Sequence, residues 1–408
     1  MSGLQRVIVV GASYSGLRAA EALRRNGFTG ELVIVGAERH QPYDRPTLTK
    51  GALAADADPD VIALPLPASL GEVTWRLGTR VTSSDLDAHT LALDDGTDLA
   101  FDGLVVATGL RSRHLPIDWE PTRLAVRDLD DNLRLRAAMQ SALASGRRMV
   151  VVGAGFIGCE VAAVGVRLGL DVTVVAPEAV PLAAQVGEQL GGALQRRHER
   201  EGVRFVLGQV VTAVRGSDGA ARVELSDGGT LDAEVVVEAV GCAPVTDWLR
   251  PDDLDLSDGV RADSHLRALG GPTSGPRDDV VVCGDVARFP NALFDEVPRR
   301  VEHWTMAADT GKRAGRTLAR QLAGAIDDTP FAPVPTFWSE QYDVRLQSFG
   351  LPQLGTPAVL EGSLDDGLSG GAGVVVGYHR DGVLAGVVMA GFEERYRHYR
   401  TAVGQLLP

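Results

Sequence analysis

The sequence predicts an α/β fold with two Rossmann-like dinucleotide-binding domains and a C-terminal α/β domain, and three observations carry that expectation. The first is a glycine-rich turn after an apolar run, Val7-Ile8-Val9-Val10-Gly11-Ala12-Ser13-Tyr14-Ser15-Gly16. The second is its repetition at Met149-Val150-Val151-Val152-Gly153-Ala154-Gly155-Phe156-Ile157-Gly158. The third is that the same order of expected elements follows each turn. Glycine permits the tight turn, lets the backbone approach a pyrophosphate and lets the helix pack against the sheet. The helix N-terminus then offers free N–H groups to the phosphates. Two such turns in matching surroundings imply two dinucleotides held at once, which points to a flavin and a nicotinamide (FAD and NAD) exchanging a hydride.

After the first turn a helix is expected over residues 17–25 and a strand over 32–35. Short alternating stretches follow near Val81 and at 90–93, with Asp94-Asp95-Gly96 as a hairpin signal. Leu104-Val105-Val106-Ala107-Thr108-Gly109 closes this half. The second half repeats the order: helix 159–168, strand 172–175, short strands at 210–214 and 223–225, the turn Ser226-Asp227-Gly228-Gly229, and a closing run over 235–241. An antiparallel meander thus replaces the crossover helix of a plain dehydrogenase. Residues 270–279, rich in Gly, Pro and Ser, read as an exposed loop. Val280-Val281-Val282-Cys283-Gly284-Asp285 reads as a buried strand, and 305–322 as a helix. Composition changes after Asp327-Asp328-Thr329-Pro330, where strands near 345–349 and 373–378 and a helix near 393–407 mark a small further domain. The expected bounds are 1–112 and 247–326 for the FAD-binding domain, 113–246 for the NAD-binding domain and 327–408 for the C-terminal domain.

A length of 408 residues with 45% hydrophobic and 23% charged content fits a folded protein of two or three domains. The formal net charge of -14 argues against a nucleic-acid partner. Met1 runs almost at once into the first expected strand, so no signal peptide is expected. No apolar run reaches the roughly 18 residues of a membrane helix, so no membrane partner is expected, and the scattered cysteines read as those of a cytoplasmic protein without a disulfide framework. Cys159, Cys242 and Cys283 form no Cys-x-x-Cys pair and are expected to be structural, and no metal-ligand set is read.

Four ordered segments carry a resemblance that covers essentially the whole chain. They are Pro42-Tyr43-Asp44-Arg45-Pro46-Thr47-Leu48-Thr49-Lys50, Gly284-Asp285-Val286-Ala287-Arg288-Phe289, Glu302-His303-Trp304 and Phe337-Trp338-Ser339-Glu340-Gln341-Tyr342. With the two turns, this order resembles the two-dinucleotide flavoprotein reductases of the glutathione-reductase structural class. Within that class it is similar to the putidaredoxin reductase-like ferredoxin reductases that serve bacterial oxygenases. The resemblance implies electron transfer from NADH through FAD to a two-iron, two-sulfur ferredoxin that supplies a monooxygenase or dioxygenase. Disulfide-reducing relatives carry a cysteine pair near Lys50 or in the second nucleotide domain, and peroxide-handling relatives a cysteine near Tyr43; neither is present. Two alternatives stay open: a reductase of rubredoxin, a quinone or another small acceptor, and a non-catalytic redox-sensing flavoprotein.

The resemblance also implies roles for particular residues. Gly11, Ser13, Ser15 and Gly16 would carry the FAD pyrophosphate, with Ser13 standing where the family has its middle glycine. Glu38 would take the adenosine ribose hydroxyls, and Val81, Ala107, Thr108 and Gly109 would border the same cofactor. Arg45 and Lys50 would reach the flavin and Arg127 its phosphate-bearing part. Gly284 and Asp285 would hold the ribityl chain, the helix that Trp304 opens would point its N-terminal N–H groups at the flavin's pyrimidine carbonyl, Glu302 and His303 would bind cofactor beside it, and Trp338 would cover the ring. Gly153, Gly155, Phe156, Ile157, Gly158 and Gly241 would hold the nicotinamide dinucleotide. Lys50 and Glu160 are expected to pair as the catalytic couple, which would keep a buried charge compensated. As bare residues Glu38, Arg45, Lys50 and Glu160 could also be solvated charges, and the tryptophans core residues. Ala176 stands where an acid takes the ribose 2′-hydroxyl and Val180 where relatives are often basic, while Glu178 would repel a 2′-phosphate. NADH is therefore expected over NADPH. Arg299-Arg300 and Lys312-Arg313 with Arg316 are either ordinary solvated charge or a basic patch for an acidic ferredoxin.

Overall fold

A computed structural model describes residues 5–55, 59–271, 275–327, 329, 331–368, 371 and 373–405. The chain divides into two compact units. One comprises Met1–Asp44, Pro59–Arg111 and Ala243–Pro335; the other comprises Arg45–Asp58, Ser112–Cys242 and Thr336–Pro408.

The first unit is built on a six-stranded sheet in the order Arg267–Leu269, Pro276–Val282, Gly103–Val106, Arg6–Val10, Glu31–Gly36, Thr74–Leu77. Every pairing is parallel except that of the edge strand Arg267–Leu269. Parallel strands covered on both faces must be apolar throughout, and Val7, Ile8, Val9, Leu104, Val105 and Val280 are fully buried. The helix Tyr14–Arg25 lies against the helix Trp304–Leu322. Their approach depends on glycine: a Cβ at Gly311 would stand 2.5 Å from the Ser15 carbonyl oxygen, and one at Gly315 would stand 2.2 Å from that of Ala19. Val81–Asp85, Thr90–Leu93 and Asp98–Ala100 form the expected antiparallel meander.

The second unit repeats the pattern with four parallel strands, Arg204–Leu207, Asp171–Ala176, Arg148–Val152 and Val235–Glu238. Its turn helix is Phe156–Leu168, and its meander is Val211–Ser217, Ala220–Leu225 and Thr230–Ala233. The same unit contains a five-stranded antiparallel sheet in the order Thr336–Gln341, Val344–Gly350, Val383–Ala390, Val374–Arg380, Thr356–Gly362.

Two expectations change. The loop expected over 270–279 is in part a strand, Pro276–Val282, whose first four residues are exposed or half-buried by turns. The polar composition there marks the solvated end of a core strand; residues 272–274 lie outside the described residues. The helix expected over 393–407 shrinks to Tyr396–Ala402 after one 3-10 turn, Glu393–Arg395. Left-handed Phe392 (φ 58°) and Gly404 (φ 83°) bracket it, and 406–408 lie outside the described residues.

Candidate functional site

The two glycine turns are built alike. Gly11 has φ 122°, and a Cβ there would lie 2.0 Å from the Ala107 carbonyl oxygen. Gly153 has φ 109°, and its Cβ would lie 2.3 Å from that of Ala239. At the helix position, a Cβ on Gly16 would meet the Gly11 carbonyl at 1.9 Å, and one on Gly158 that of Gly153 at 2.1 Å. These four glycines are demanded by the fold. The middle position differs. Gly155 is extended (φ -78°, ψ -173°), and nothing of the protein lies within 4 Å of a Cβ built on it. The chain leaves that side open for a close approach, so the second turn fits a pyrophosphate. Ser13 occupies the equivalent extended conformation (φ -106°, ψ -167°), which any L-residue adopts. A side chain at this position therefore puts no strain on the backbone.

In the first unit Ser15, Gly284 and Thr310 meet beside the first turn. Ser15 is buried, and a Cβ on Gly284 (φ 74°) would lie 2.5 Å from its hydroxyl oxygen. The Gly284 N–H donates to Thr310 Oγ1 at 2.9 Å. Asp285 is half-buried in the 3-10 turn Gly284–Val286. Thr108 Oγ1 donates to the Val245 carbonyl at 2.6 Å, and left-handed Gly109 (φ 62°) follows it. Glu38, just beyond the strand Glu31–Gly36, accepts from Tyr43 Oη at 2.5 Å. Val81 opens the meander, paired with Leu93. Trp304 begins its helix with its ring stacked on Tyr14, centroids 4.3 Å apart and planes at 9°. Arg18 lies over the Tyr14 ring at 5.0 Å. Burial pulls the imidazole of His303 down to about 4, so it stays neutral at physiological pH. Glu302 is exposed and pairs with Arg300 at 2.7 Å.

The second unit brings Lys50 and Glu160 together. Arg45–Thr49 forms a 3-10 turn, Lys50 leads into the short helix Gly51–Ala54, and buried Asn132 anchors the segment through its bond to the Leu48 carbonyl at 2.7 Å. Glu160 sits in the second turn of its helix on the buried side. Its Oε2 accepts from Lys50 Nζ at 2.8 Å and from Thr49 Oγ1 at 2.5 Å, and its Oε1 from Ser339 Oγ at 2.6 Å. Arg45 donates to the Arg127 carbonyl, and the Arg127 N–H donates to Asp131 at 2.9 Å. On the strand Thr336–Gln341 alternate residues face inward, so Phe337, Ser339 and Gln341 are buried while Trp338 is half-buried on the other face. Phe337 packs on Phe156, ring centroids 4.9 Å apart. Ile157 is half-buried beside it, and left-handed Gly241 (φ 94°) has no protein atom within 4 Å of a built Cβ.

Thr49, Ser339, Thr310 and Tyr14 were not singled out in the sequence. The period of two in Phe337-Trp338-Ser339-Glu340-Gln341 was the available signal for Ser339.

One member of the expected basic patch, Arg313, turns inward. Arg313 is 7% exposed and its guanidinium is held by Asp327 at 3.0 Å, so it presents no charge to a partner. Arg316 shares Asp327 at 2.8 Å, Arg299 pairs with Asp295, and Arg300 with Asp258 and Glu302. Helical spacing alone cannot tell which basic residues on a helix turn inward toward an acid. Lys312 is exposed, with Asp309 at 3.7 Å.

Two glycine-turn domains of one build, a meander in place of each crossover helix and a lysine paired with a buried glutamate define a two-dinucleotide reductase fold. The chain belongs to the pyridine nucleotide-disulphide oxidoreductase family, whose description matches residues 5–311, and residues 336–406 match the reductase C-terminal family. It is 36% identical over 360 residues to the anthranilate 1,2-dioxygenase system ferredoxin–NAD(+) reductase component of Burkholderia cepacia, covering 87% of this chain and 84% of that protein. It is 34% identical over 376 residues to rhodocoxin reductase of Rhodococcus erythropolis, covering 89% and 82%. Among solved structures, the covalent putidaredoxin reductase–putidaredoxin complex matches with a TM-score of 0.85 at 26% identity, covering 100% of this chain and 94% of that one. Among the described residues no helix is long and apolar enough to cross a membrane.

Proposed function

We propose that this chain is an NADH-dependent FAD flavoprotein that passes electrons to a two-iron, two-sulfur ferredoxin supplying an oxygenase, the kind of system its relatives are named for. The observation that carries the reading is the pairing of half-buried Lys50 with buried Glu160 in a chain with two dinucleotide turns and no thiol pair. FAD, when bound, supplies a hydride acceptor that can release electrons one at a time. Gly11, Gly16 and the helix N-terminus behind them would hold its pyrophosphate, Glu38 its ribose and Asp285 its ribityl chain. Gly153, Gly155 and Gly158 would hold the nicotinamide dinucleotide. The Lys50 ammonium, charge-balanced by Glu160, would stabilise negative charge that develops during transfer. Neither buried thiol offers a relay: burial pushes Cys283 up to about 12 and Cys159 higher still. Catalysis then consists mainly of positioning and electrostatics. Ala176 is buried at the end of its strand while Glu178 is exposed just beyond it, which supports NADH over NADPH.

The test is the visible spectrum of purified protein before and after anaerobic NADH, followed by a cytochrome c assay with and without an oxygenase ferredoxin. A yellow protein bleached by NADH, with cytochrome c reduced only when the ferredoxin is present, is the expected result. A colourless protein that takes up no flavin overturns the reading. Reduction that is indifferent to ferredoxin favours a small acceptor such as a quinone.

A further inference from the structure

The Phe337-Trp338-Ser339-Glu340-Gln341-Tyr342 segment does more than pack. Ser339 Oγ accepts from Gln341 Nε2 at 3.1 Å while donating to Glu160 Oε1 at 2.6 Å. Gln341 Oε1 lies 2.8 Å from His198 Nε2, and His198 Nδ1 lies 2.9 Å from Tyr342 Oη. Ser339, Gln341 and His198 are 1%, 2% and 0% exposed, so the links among them are closed to water, while Tyr342 is half-buried at the outer end.

The proton order along this chain follows from its end. An ionised carboxylate only accepts, so Ser339 must donate to Glu160 and use a lone pair for Gln341. The Gln341 amide therefore turns its N–H to Ser339 and its carbonyl to His198, which requires a proton on Nε2. His198 Nδ1 is then an acceptor for the Tyr342 hydroxyl. The surroundings agree: burial pulls the His198 imidazole down to about 4 and pushes the Tyr342 phenol upward, so one stays neutral and the other stays protonated. All four links point their dipoles at one anion, an arrangement in which each bond polarises the next.

Tyr342 supplies a second, independent observation. It holds φ 59°, the left-handed region that a bulky residue rarely occupies, in the two-residue turn between Gln341 and its pairing partner Val344. Such a conformation persists only where its surroundings over-determine it. Here the Tyr342 carbonyl accepts from Arg167 at 3.1 Å, its ring lies under Arg197 at 5.4 Å, and Arg197 is held by Asp343 and Glu201. The turn is held so that the Tyr342 hydroxyl reaches back to His198.

We propose that Ser339 is a positioning residue for the Lys50–Glu160 pair, acting as the last link of a one-way chain that runs inward from half-buried Tyr342 through His198 and Gln341 and fixes the Glu160 carboxylate toward the Lys50 ammonium. The inference rests on the functional reading of Lys50 above, but the chain is testable without any cofactor. In histidine-labelled protein, nitrogen NMR of the His198 ring at neutral pH reads a single neutral tautomer protonated at Nε2. Glu160→Gln removes the anion that orders the chain, and Ser339→Ala breaks its last link. Each variant converts His198 to a mixture of tautomers. In flavin-loaded enzyme Ser339→Ala lowers kcat for flavin reduction roughly tenfold, the scale of one hydrogen bond to a charged group, with KM for NADH unchanged. Ser339→Thr, which keeps the hydroxyl, restores kcat. An imidazole that keeps its Nε2 proton in both variants overturns the proposal, and so does wild-type kcat in Ser339→Ala. A protein whose flavin NADH never reduces, yet whose His198 responds to Glu160→Gln, retains the chain and loses the functional reading instead.

Discussion

Glu160 Oε2 accepts from Lys50 Nζ at 2.8 Å across 110 positions of sequence, with the carboxylate side chain 6% and the ammonium side chain 16% exposed. Neither charge is well solvated, so each depends on the other. Breaking one side of such a pair costs more than the pair contributes, because a buried charge is left uncompensated.

Lys50→Met is therefore expected to destabilise the fold by about 3–5 kcal/mol. Adding Glu160→Gln should recover much of that loss, since no unpaired charge then remains. Flavin reduction by NADH should fall on the order of a hundredfold in both proteins, because the developing negative charge loses its cation. Thermal melts and anaerobic stopped-flow traces check the two halves separately. A Lys50→Met protein that melts at the wild-type temperature contradicts the first half.

The glycines should separate by role. Gly153→Ala places a methyl 2.3 Å from a carbonyl oxygen at φ 109°, and should yield little folded protein. Gly155→Ala meets nothing within 4 Å, so it should fold and melt normally while KM for NADH rises. Ser13→Gly should tighten FAD binding by reopening the pyrophosphate's approach. Soluble yield, melting temperature and flavin titration provide the comparison. Equal folding of Gly153→Ala and Gly155→Ala would contradict the assignment.

Cys159 and Cys283 should be chemically silent. Desolvation raises both thiols, Cys283 to about 12, against an ordinary value near 9.0. A folded-state value above the unfolded one means stability that is fully present below about pH 9 and lost as pH rises toward 12. At pH 8 a thiol reagent should titrate at most Cys242 in the folded protein, and all three in denaturant. Labelling of Cys283 without loss of structure would show that its burial is wrong.

Charge reversal should distinguish two adjacent residues. Arg313→Glu puts a carboxylate beside Asp327 in a buried site and should destabilise the fold by several kcal/mol. Lys312→Glu leaves stability unchanged and raises KM for an acidic ferredoxin at low salt, an effect that fades as salt screens it. Steady-state ferredoxin reduction across ionic strengths measures this. A flat response would remove Lys312 from the docking surface.

Much of the architecture was legible because its signals are local. The apolar runs before Gly11 and Gly153, the Asp-Gly and Gly-Gly turns of the meanders and the helix after Trp304 each occupy a few consecutive residues. The Lys50–Glu160 pairing was also anticipated, through the resemblance of its motifs rather than through spacing. The inward face of the Phe337–Gln341 stretch, the Tyr14–Trp304 stack and the burial of Arg313 were not anticipated. Each depends on what a distant segment presents: Ser339 meets Glu160 across 179 positions, and Arg313 turns inward because Asp327 is there.

The sequence by itself determined that this protein has two nucleotide turns, because the left-handed backbone and the missing Cβ are properties of the glycines themselves. Only the tertiary structure decided which polar groups surround the Glu160 carboxylate and in what order they donate. The physical reason is that a buried hydrogen-bond chain is assembled from residues brought together by packing, and no stretch of consecutive positions records that assembly.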